Sequence, residues 1–263
     1  MKETLKSARA NTLYTSAFIP AGNNKLLDYT DENGIDYRYA QVNTRAIIDC
    51  PFRSAGCERV CYATKGRHNC SNVKESRERS TNETHRADFA DALIYTIKLE
   101  KTTGRYRNAV MIIRIHESGD FYSIQYLRKW IKVWGNMEGA DGVRFVFYTK
   151  SFPFFLMLDD SERALINRMI DAGQIAINLS VDDTTSREQW RAYHAMRKAF
   201  PNANTYYCTE HVDSVTHDNV CDCANCAKCG TCNKGTGKTT VVKIHSASKT
   251  DMISYRENIT AEA

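Results

Sequence analysis

The chain has 263 residues, of which 42% are hydrophobic and 25% are charged, and its formal net charge is +5. This length and composition predict one large globular domain, or a core domain with an appendage, that buries a sizeable core. No stretch is long and apolar enough to span a bilayer, which excludes a helical membrane protein, and the mild positive charge permits contact with nucleic acid or an anionic small molecule without requiring it.

The ten cysteines give a first indication of chemistry. Residues 1–6 are polar and include no apolar signal segment, so we expect a cytoplasmic protein that makes no contact with a membrane. Thiols stay reduced in that compartment. Clustered cysteines there indicate metal ligands or redox chemistry and not disulfides.

Strand and helix patterns alternate along most of the chain. Residues 1–40 predict a polar N-terminal arm, residues 41–207 a βα core, and residues 208–263 a cysteine-rich C-terminal segment packed on that core. The predicted strands are 45–48, 109–115, 143–148 and 175–181, and the predicted helices are 82–101, 123–135, 161–173 and 186–200, the last two capped by Ser161 and Ser186. This alternation indicates an α/β fold with a parallel sheet, either an open sheet or a partial (β/α) barrel.

Three cysteines follow the first predicted strand of the core. Cys50, Cys57 and Cys61 are separated by six and then three residues. Three thiolates cannot close a tetrahedral zinc site, but they can hold a [4Fe–4S] cluster that keeps one open iron. The alternative is a structural zinc site completed by Cys70 or His68.

Polar residues follow the ends of the later strands. They are Ser118, Gly119 and Asp120 after one strand, Lys150 after the next, and Ser180 and Asp182 at the end of a third. In a parallel sheet the carboxyl ends of the strands and the loops after them form the active face. We therefore expect these residues to share one face with the three-cysteine loop. The plain alternative is that strand ends are where polar residues normally lie.

Three segments carry a resemblance to a known family. They are C-Y-A-T-K-G-R at 61–67, R-I-H-E-S-G-D-F-Y-S-I-Q-Y-L-R-K-W at 114–130 and F-Y-T-K-S at 147–151. Together they resemble the phage and plasmid gene product 88 domain family over roughly residues 17–245. The resemblance implies a phage or mobile-element protein in the cytoplasm of the host cell.

The layout more distantly resembles that of radical S-adenosylmethionine (SAM) enzymes, which carry a three-cysteine loop after the first strand and a glycine-acidic segment after the second. The spacing of six and three residues is wider than is usual there. This resemblance implies the reductive cleavage of SAM. The implied catalytic residues are Ser118, Asp120 and Lys150, and the implied cofactor-binding residues are Tyr62, Ser118, Gly119, Asp120, Ser180 and Asp182.

A second cysteine group lies near the C-terminus. Cys226, Cys229 and Cys232 have two residues between neighbours, as in bacterial ferredoxins. They match a C-x2-C-x2-C run of the family, which makes Cys208 the natural fourth ligand. Four protein ligands imply a closed auxiliary cluster suited to electron transfer or to a structural role. Cys221 and Cys223 are then spare or alternative ligands.

Two functions remain open at this stage. The first is a radical SAM-type enzyme with one open and one auxiliary [4Fe–4S] cluster, served by a small reductant protein. The second is a non-enzymatic nucleic-acid-binding protein, stabilised by zinc or an iron–sulfur cluster, that acts in replication or regulation. The basic charge and aromatic residues such as Tyr206 and Tyr207 favour the second. No residue pattern identifies a substrate.

Overall fold

A nine-stranded, mostly parallel open sheet organises the chain. The computed structural model describes residues 14–21, 27–221, 230–244, 252–253 and 257. The strands are β1 (Ile19–Pro20), β2 (Tyr29–Thr30), β3 (Asp36–Val42), β4 (Val110–Ile115), β5 (Val143–Thr149), β6 (Ile175–Asp182), β7 (Asn204–Thr209), β8 (Asn219–Cys221) and β9 (Thr239–Lys243). The helices are α1 (Ala55–Val60), α2 (Ser71–His85), α3 (Phe89–Thr103), α4 (Ile124–Met137), α5 (Phe152–Leu156), α6 (Asp160–Asp171) and α7 (Arg187–Ala199).

Strands β3 to β7 lie side by side in chain order, and each pair is parallel. Strand β9 pairs parallel with β7 and with β8, while β1 and β2 add antiparallel to β3. All the parallel strands therefore end at the same edge of the sheet. The predicted α/β class with a parallel sheet is confirmed in its open form, and the predicted three-part division of the chain stays a prediction.

The two faces of the sheet have different surroundings. On the helix face, Met111, Ile113 and Phe147 pack with buried residues of the helices, among them Trp130 and Trp134. The alternate strand residues point to the opposite side, because successive side chains of a strand face opposite ways. This second side, here called the cavity face, has a small buried cluster of Tyr39, Ile112, Val146 and Ala176 and then opens towards the carboxyl edge.

Helix α4 shows why these sequences form these elements. Ser123 accepts a hydrogen bond from the backbone N of Tyr126 at 3.1 Å and so caps the first turn. Leu127, Trp130 and Trp134 follow at helical spacing and are completely buried against the sheet. The apolar stripe of this helix supplies much of the core.

Several predicted boundaries are wrong. The strand expected at 45–48 is a turn, because Asp49 bonds back to the backbone N of Arg45, and the strand before it is β3. The single helix expected at 82–101 is two helices, α2 and α3. The apolar pattern missed most of α2, since it buries polar side chains.

The cap of α6 is Asp159 and not Ser161, with Glu162 completing a capping box. Ser186 caps α7 as expected.

Candidate functional site at the carboxyl edge of the sheet

A cavity of about 710 Å³ lies at the carboxyl ends of the parallel strands. Its walls include every predicted site residue that the structure describes: Cys50, Cys57, Cys61, Tyr62, Ser118, Gly119, Asp120, Lys150, Ser180, Asp182, Cys208 and Cys232. Cys226 and Cys229 lie outside the described residues. The expected common face therefore exists, and the chemical roles of these residues stay predictions.

Thiols are concentrated in this cavity. Of the seven cysteines in the described ranges, only Cys70 lies outside its walls, and Cys70 is exposed. Cys221, a spare or alternative ligand by the sequence pattern, also lines the cavity. It flanks β9 at the same level as Cys208, because both pair in register with Val242.

The turn before Cys50 is held in a strained conformation. Ile47 has φ of 66°, a left-handed value that is unfavourable for a β-branched residue. The buried carboxylate of Asp49 stabilises the turn by accepting from the backbone N of Arg45 at 2.7 Å and from its guanidinium at 2.9 Å. Thr81 of α2 donates to the same carboxylate at 3.0 Å. The position of Cys50 is thus fixed by a neighbouring helix as well as by the loop itself.

Helix α1, which carries Cys57, is tied to the end of β6. Ser54 caps this helix and donates to Asp182 Oδ2 at 2.5 Å. The backbone N of Gly56 donates to Thr184 Oγ1 at 2.8 Å, and Thr184 in turn donates to Asp182 Oδ1 at 2.6 Å. Asp182 therefore positions the three-cysteine loop.

The loops after β3 and β4 are joined by backbone and side-chain hydrogen bonds. Asn43 Oδ1 accepts from the backbone N of Glu117 at 2.8 Å, and Thr44 N donates to Ser118 O at 3.0 Å. The Ser118 hydroxyl donates to Thr44 O at 2.9 Å. Gly119 has φ of 85°, and a Cβ there would lie 1.8 Å from Thr44 Oγ1. Only glycine fits this close approach.

Asp120 links the loop after β4 to the end of β5. Its carboxylate accepts from Thr149 Oγ1 and from the backbone N of Phe121, both at 2.7 Å, and from the backbone N of Lys150 at 2.8 Å. Burial raises the pKa of the Asp120 carboxyl to about 6, against these hydrogen bonds, which favour the ionised form. Its oxygens are used in holding the two loops together.

Lys150 and Asp182 form a buried ion pair with Nζ 2.7 Å from Oδ2. Burial opposes the charge on Lys150, but the Asp182 carboxylate outweighs it and raises the pKa of Lys150. Burial likewise opposes the Asp182 carboxylate, yet Lys150 and the hydrogen bonds lower its pKa. Both groups are therefore charged at neutral pH.

The three thiols of the first cluster influence one another. Burial raises the pKa of Cys57 to about 12, and the neighbouring Cys61 thiolate adds to this effect. Burial also raises the pKa of Cys50, to which Asp120 and the other two cysteines contribute, and the pKa of Cys61. Even beside the charged Lys150, the raised pKa of Cys57 keeps this thiol protonated at neutral pH.

Tyr62 and His68 form the outer wall of the cavity. The Tyr62 hydroxyl donates to the Glu117 carbonyl, and its ring meets His68 edge-on with centroids 5.5 Å apart. His68 Nδ1 lies 2.7 Å from a guanidinium nitrogen of Arg77. Burial lowers the pKa of His68. Of the two residues expected to complete a zinc site, His68 lines the cavity and Cys70 does not.

The donor set fits a thiolate-bound metal group in its chemistry. Among the described residues, no three His, Cys, Asp or Glu side chains are arranged as a ready-made metal site. Cys50, Cys57 and Cys61 nevertheless face one cavity and act on one another electrostatically. Thiolates are the ligands that iron–sulfur clusters and zinc take. These three side chains could hold an iron–sulfur cluster, or zinc if His68 supplied the fourth ligand.

Sequence reasoning missed several residues that shape the site. Ser54 carried a signal, since a serine three residues before Cys57 is a typical helix cap. Arg114 carried another, since it is a charged residue inside an otherwise apolar strand. Asn43 and Asp49 gave no comparable signal, because their hydrogen bonds depend on how the loops meet.

The fold and the site define an α/β protein with a thiol-lined cavity at the carboxyl edge of a parallel sheet. The family model described as gene product 88 matches residues 7–235, and the chain belongs to that family. No curated protein and no solved structure matches the chain. Within the described ranges, no helix combines the length and apolarity needed to cross a membrane.

Proposed function

We propose that this protein is an iron–sulfur enzyme of a phage or mobile element that performs radical SAM-type chemistry in the host cytoplasm. The observation that carries the proposal is the meeting of two loops in one cavity. The loop after β3 brings Cys50, Cys57 and Cys61, and the loop after β4 brings Ser118–Gly119–Asp120. Family membership supports the phage origin.

In this proposal the three thiolates hold an open [4Fe–4S] cluster. When bound and reduced, such a cluster would supply the electron for reductive cleavage of a C–S bond of SAM, and Cys50, Cys57 and Cys61 are the residues that would hold it. A small reductant protein provides the electron. The wide cysteine spacing is accommodated because α1 is anchored separately, through Ser54, to Asp182.

The chain's own residues would then shape the pocket that orients SAM. Ser118 and Asp120 have their side chains bonded within the protein, so their contribution is to fix the loop after β4. The absence of a side chain at Gly119 gives the loop its close packing. The Lys150–Asp182 pair fixes the cysteine loop and brings a buried positive charge to the cavity floor. Tyr62 offers an aromatic wall on which adenine can pack.

The auxiliary cluster belongs to the same proposal. Cys208 and Cys232 line the cavity wall beyond Lys150, and Cys226 and Cys229 remain the predicted partners outside the described residues. A cluster with four protein ligands at this wall would pass or store an electron without binding SAM.

The nucleic-acid-binding alternative rests on charge. Arginine and lysine outnumber aspartate and glutamate in the cavity walls by six to three. A concave, thiol-lined site favours a small molecule over a polynucleotide, so the enzyme is preferred. Binding to a polynucleotide that weakens steeply with salt would support the alternative.

Metal and sulfide analysis of oxygen-free, reconstituted protein tests the proposal. We expect about eight irons and a similar amount of sulfide for two cubane clusters, a change of the cluster's spectroscopic signal on adding SAM, and 5′-deoxyadenosine on reduction. Cys57→Ala should lose about half of the iron, while the matched control Cys70→Ala, at the exposed cysteine outside the cavity, should lose none. Stoichiometric zinc without sulfide, or equal iron in both variants, would contradict the proposal.

A further inference from the structure

Arg114 lies on the cavity face, one strand position before the end of β4. Its neighbours Ile113 and Ile115 point into the helix-face core, so its own side chain points into the cavity. The guanidinium stacks on the ring of Tyr148, with Cζ 3.9 Å from the ring centroid. The stacking fixes the plane in which its N–H groups can donate.

The Glu117 carboxylate acts on Arg114 electrostatically, but the two form no ion pair in the described part of the chain. No ion pair or hydrogen bond from its guanidinium is found among these residues, and its Nε is buried without an acceptor. The nearby cation Lys150 differs, because Asp182 pairs with it at 2.7 Å. A guanidinium N–H that is buried without an acceptor is costly unless a bound ligand supplies one.

Aromatic rings surround this cation. Tyr206 meets Tyr148 edge-on with centroids 4.7 Å apart, and Tyr206 and Tyr62 both line the cavity. A fixed guanidinium recognises the two oxygens of a carboxylate or phosphate, and tyrosine rings offer flat apolar surface to a planar group. The surroundings of Arg114 thus combine an oxyanion site with an aromatic wall.

We propose that Arg114 binds the carboxylate or phosphate of a planar, aromatic anion, whose ring packs against Tyr206. This anion would represent the substrate class of the enzyme proposed above. Only its identification as a substrate rests on the proposed function. Binding of the anion itself needs no metal, so it can be measured separately.

The test is calorimetric titration of the full-length, metal-free protein with benzoate, phenyl phosphate and neutral benzamide. We expect one of the two anions to bind and benzamide not to, and the preferred anion decides between carboxylate and phosphate. Arg114→Gln should weaken that binding by about tenfold or more, since a charge-assisted pair is lost. The matched control is Arg144→Gln, at an arginine that also stacks on a tyrosine, Tyr37, but does not line the cavity.

Further measurements keep this inference separate from the proposed function. Iron content and SAM binding are recorded for Arg114→Gln after reconstitution, and both should equal those of the unsubstituted protein. Arg114→Lys, which keeps the charge, should retain part of the binding and serves if the glutamine variant does not fold. Equal weakening by Arg144→Gln, equal binding of benzamide, or loss of SAM binding alone would overturn the inference. Anion binding in a protein that takes up no iron would contradict only the proposed function.

Discussion

The two faces of the sheet use similar aromatic residues for different purposes. On the helix face Phe147 stacks on Trp134 with centroids 5.5 Å apart in a fully buried core. On the cavity face Tyr148, the next residue along β5, stacks under a guanidinium and borders a cavity. Strand alternation alone separates these two environments. Stability is therefore concentrated on one face, and groups available for binding on the other.

The largest expected effect lies on the helix face. Trp134→Ala should lower the free energy of unfolding by about 3–5 kcal/mol, because a large buried side chain is removed and a void remains. Urea denaturation measures this. The control Gln125→Ala, at an exposed position of the same helix, should change it by less than about 0.5 kcal/mol. A similar loss in both variants would show that the helix face is not the main source of stability.

Breaking the buried pair of the cavity face should have the next largest effect. Asp182→Asn should cost about 3 kcal/mol, because Lys150 stays buried without its counter-charge. The double variant Asp182→Asn, Lys150→Met should recover part of that loss. The single variant should also speed labelling of Cys57 by a thiol reagent, since Ser54 loses its acceptor. Unchanged labelling would mean that Asp182 does not hold α1.

A smaller effect is expected where the two loops meet. Gly119→Ala should cost about 2–3 kcal/mol, since a left-handed backbone and a clash with Thr44 act together. Gly173→Ala is the control, because Gly173 has φ of 69° but nothing within 4 Å of an added Cβ. It should cost only about 1 kcal/mol. Equal losses of stability in Gly119→Ala and Gly173→Ala would show that the close approach of Thr44 does not contribute to the cost of the Gly119 substitution.

The fourth prediction concerns pH. Burial lowers the pKa of His116 to about 3 from its ordinary 6.5, so the unfolded chain takes up its proton first as the pH falls. The contribution of neutral His116 to the free energy of unfolding is therefore present above about pH 6.5. As the pH falls from 7 to 5, the free energy of unfolding should decline by about 2 kcal/mol. His116→Asn, which tolerates the φ of 61° found there, should remove that decline, whereas substitution of the exposed His85 should not. Identical pH profiles of unfolding for both variants would contradict this.

Sequence reasoning reached the fold class and the common face of the candidate residues, but not the contacts that hold this face together. Apolar periodicity predicted β4, β5 and β6 closely because buried strands leave a continuous pattern. It missed most of α2, since Ser80, Thr81 and Thr84 are buried polar residues whose bonds appear only in three dimensions. The role of Asp182 as an anchor for Ser54 was not predictable, because the contact joins distant parts of the chain.

That contact has a consequence for how the protein matures. Ser54 and Asp182 are 128 positions apart, so the three-cysteine loop reaches its final shape only after β6 has joined the sheet. Contacts of such long range are expected to form late in folding. A growing chain would thus expose the three thiols before it can orient them, and any metal would enter after the sheet is complete. Under the proposed function, insertion of the cluster would then act as a final check on a correctly folded chain.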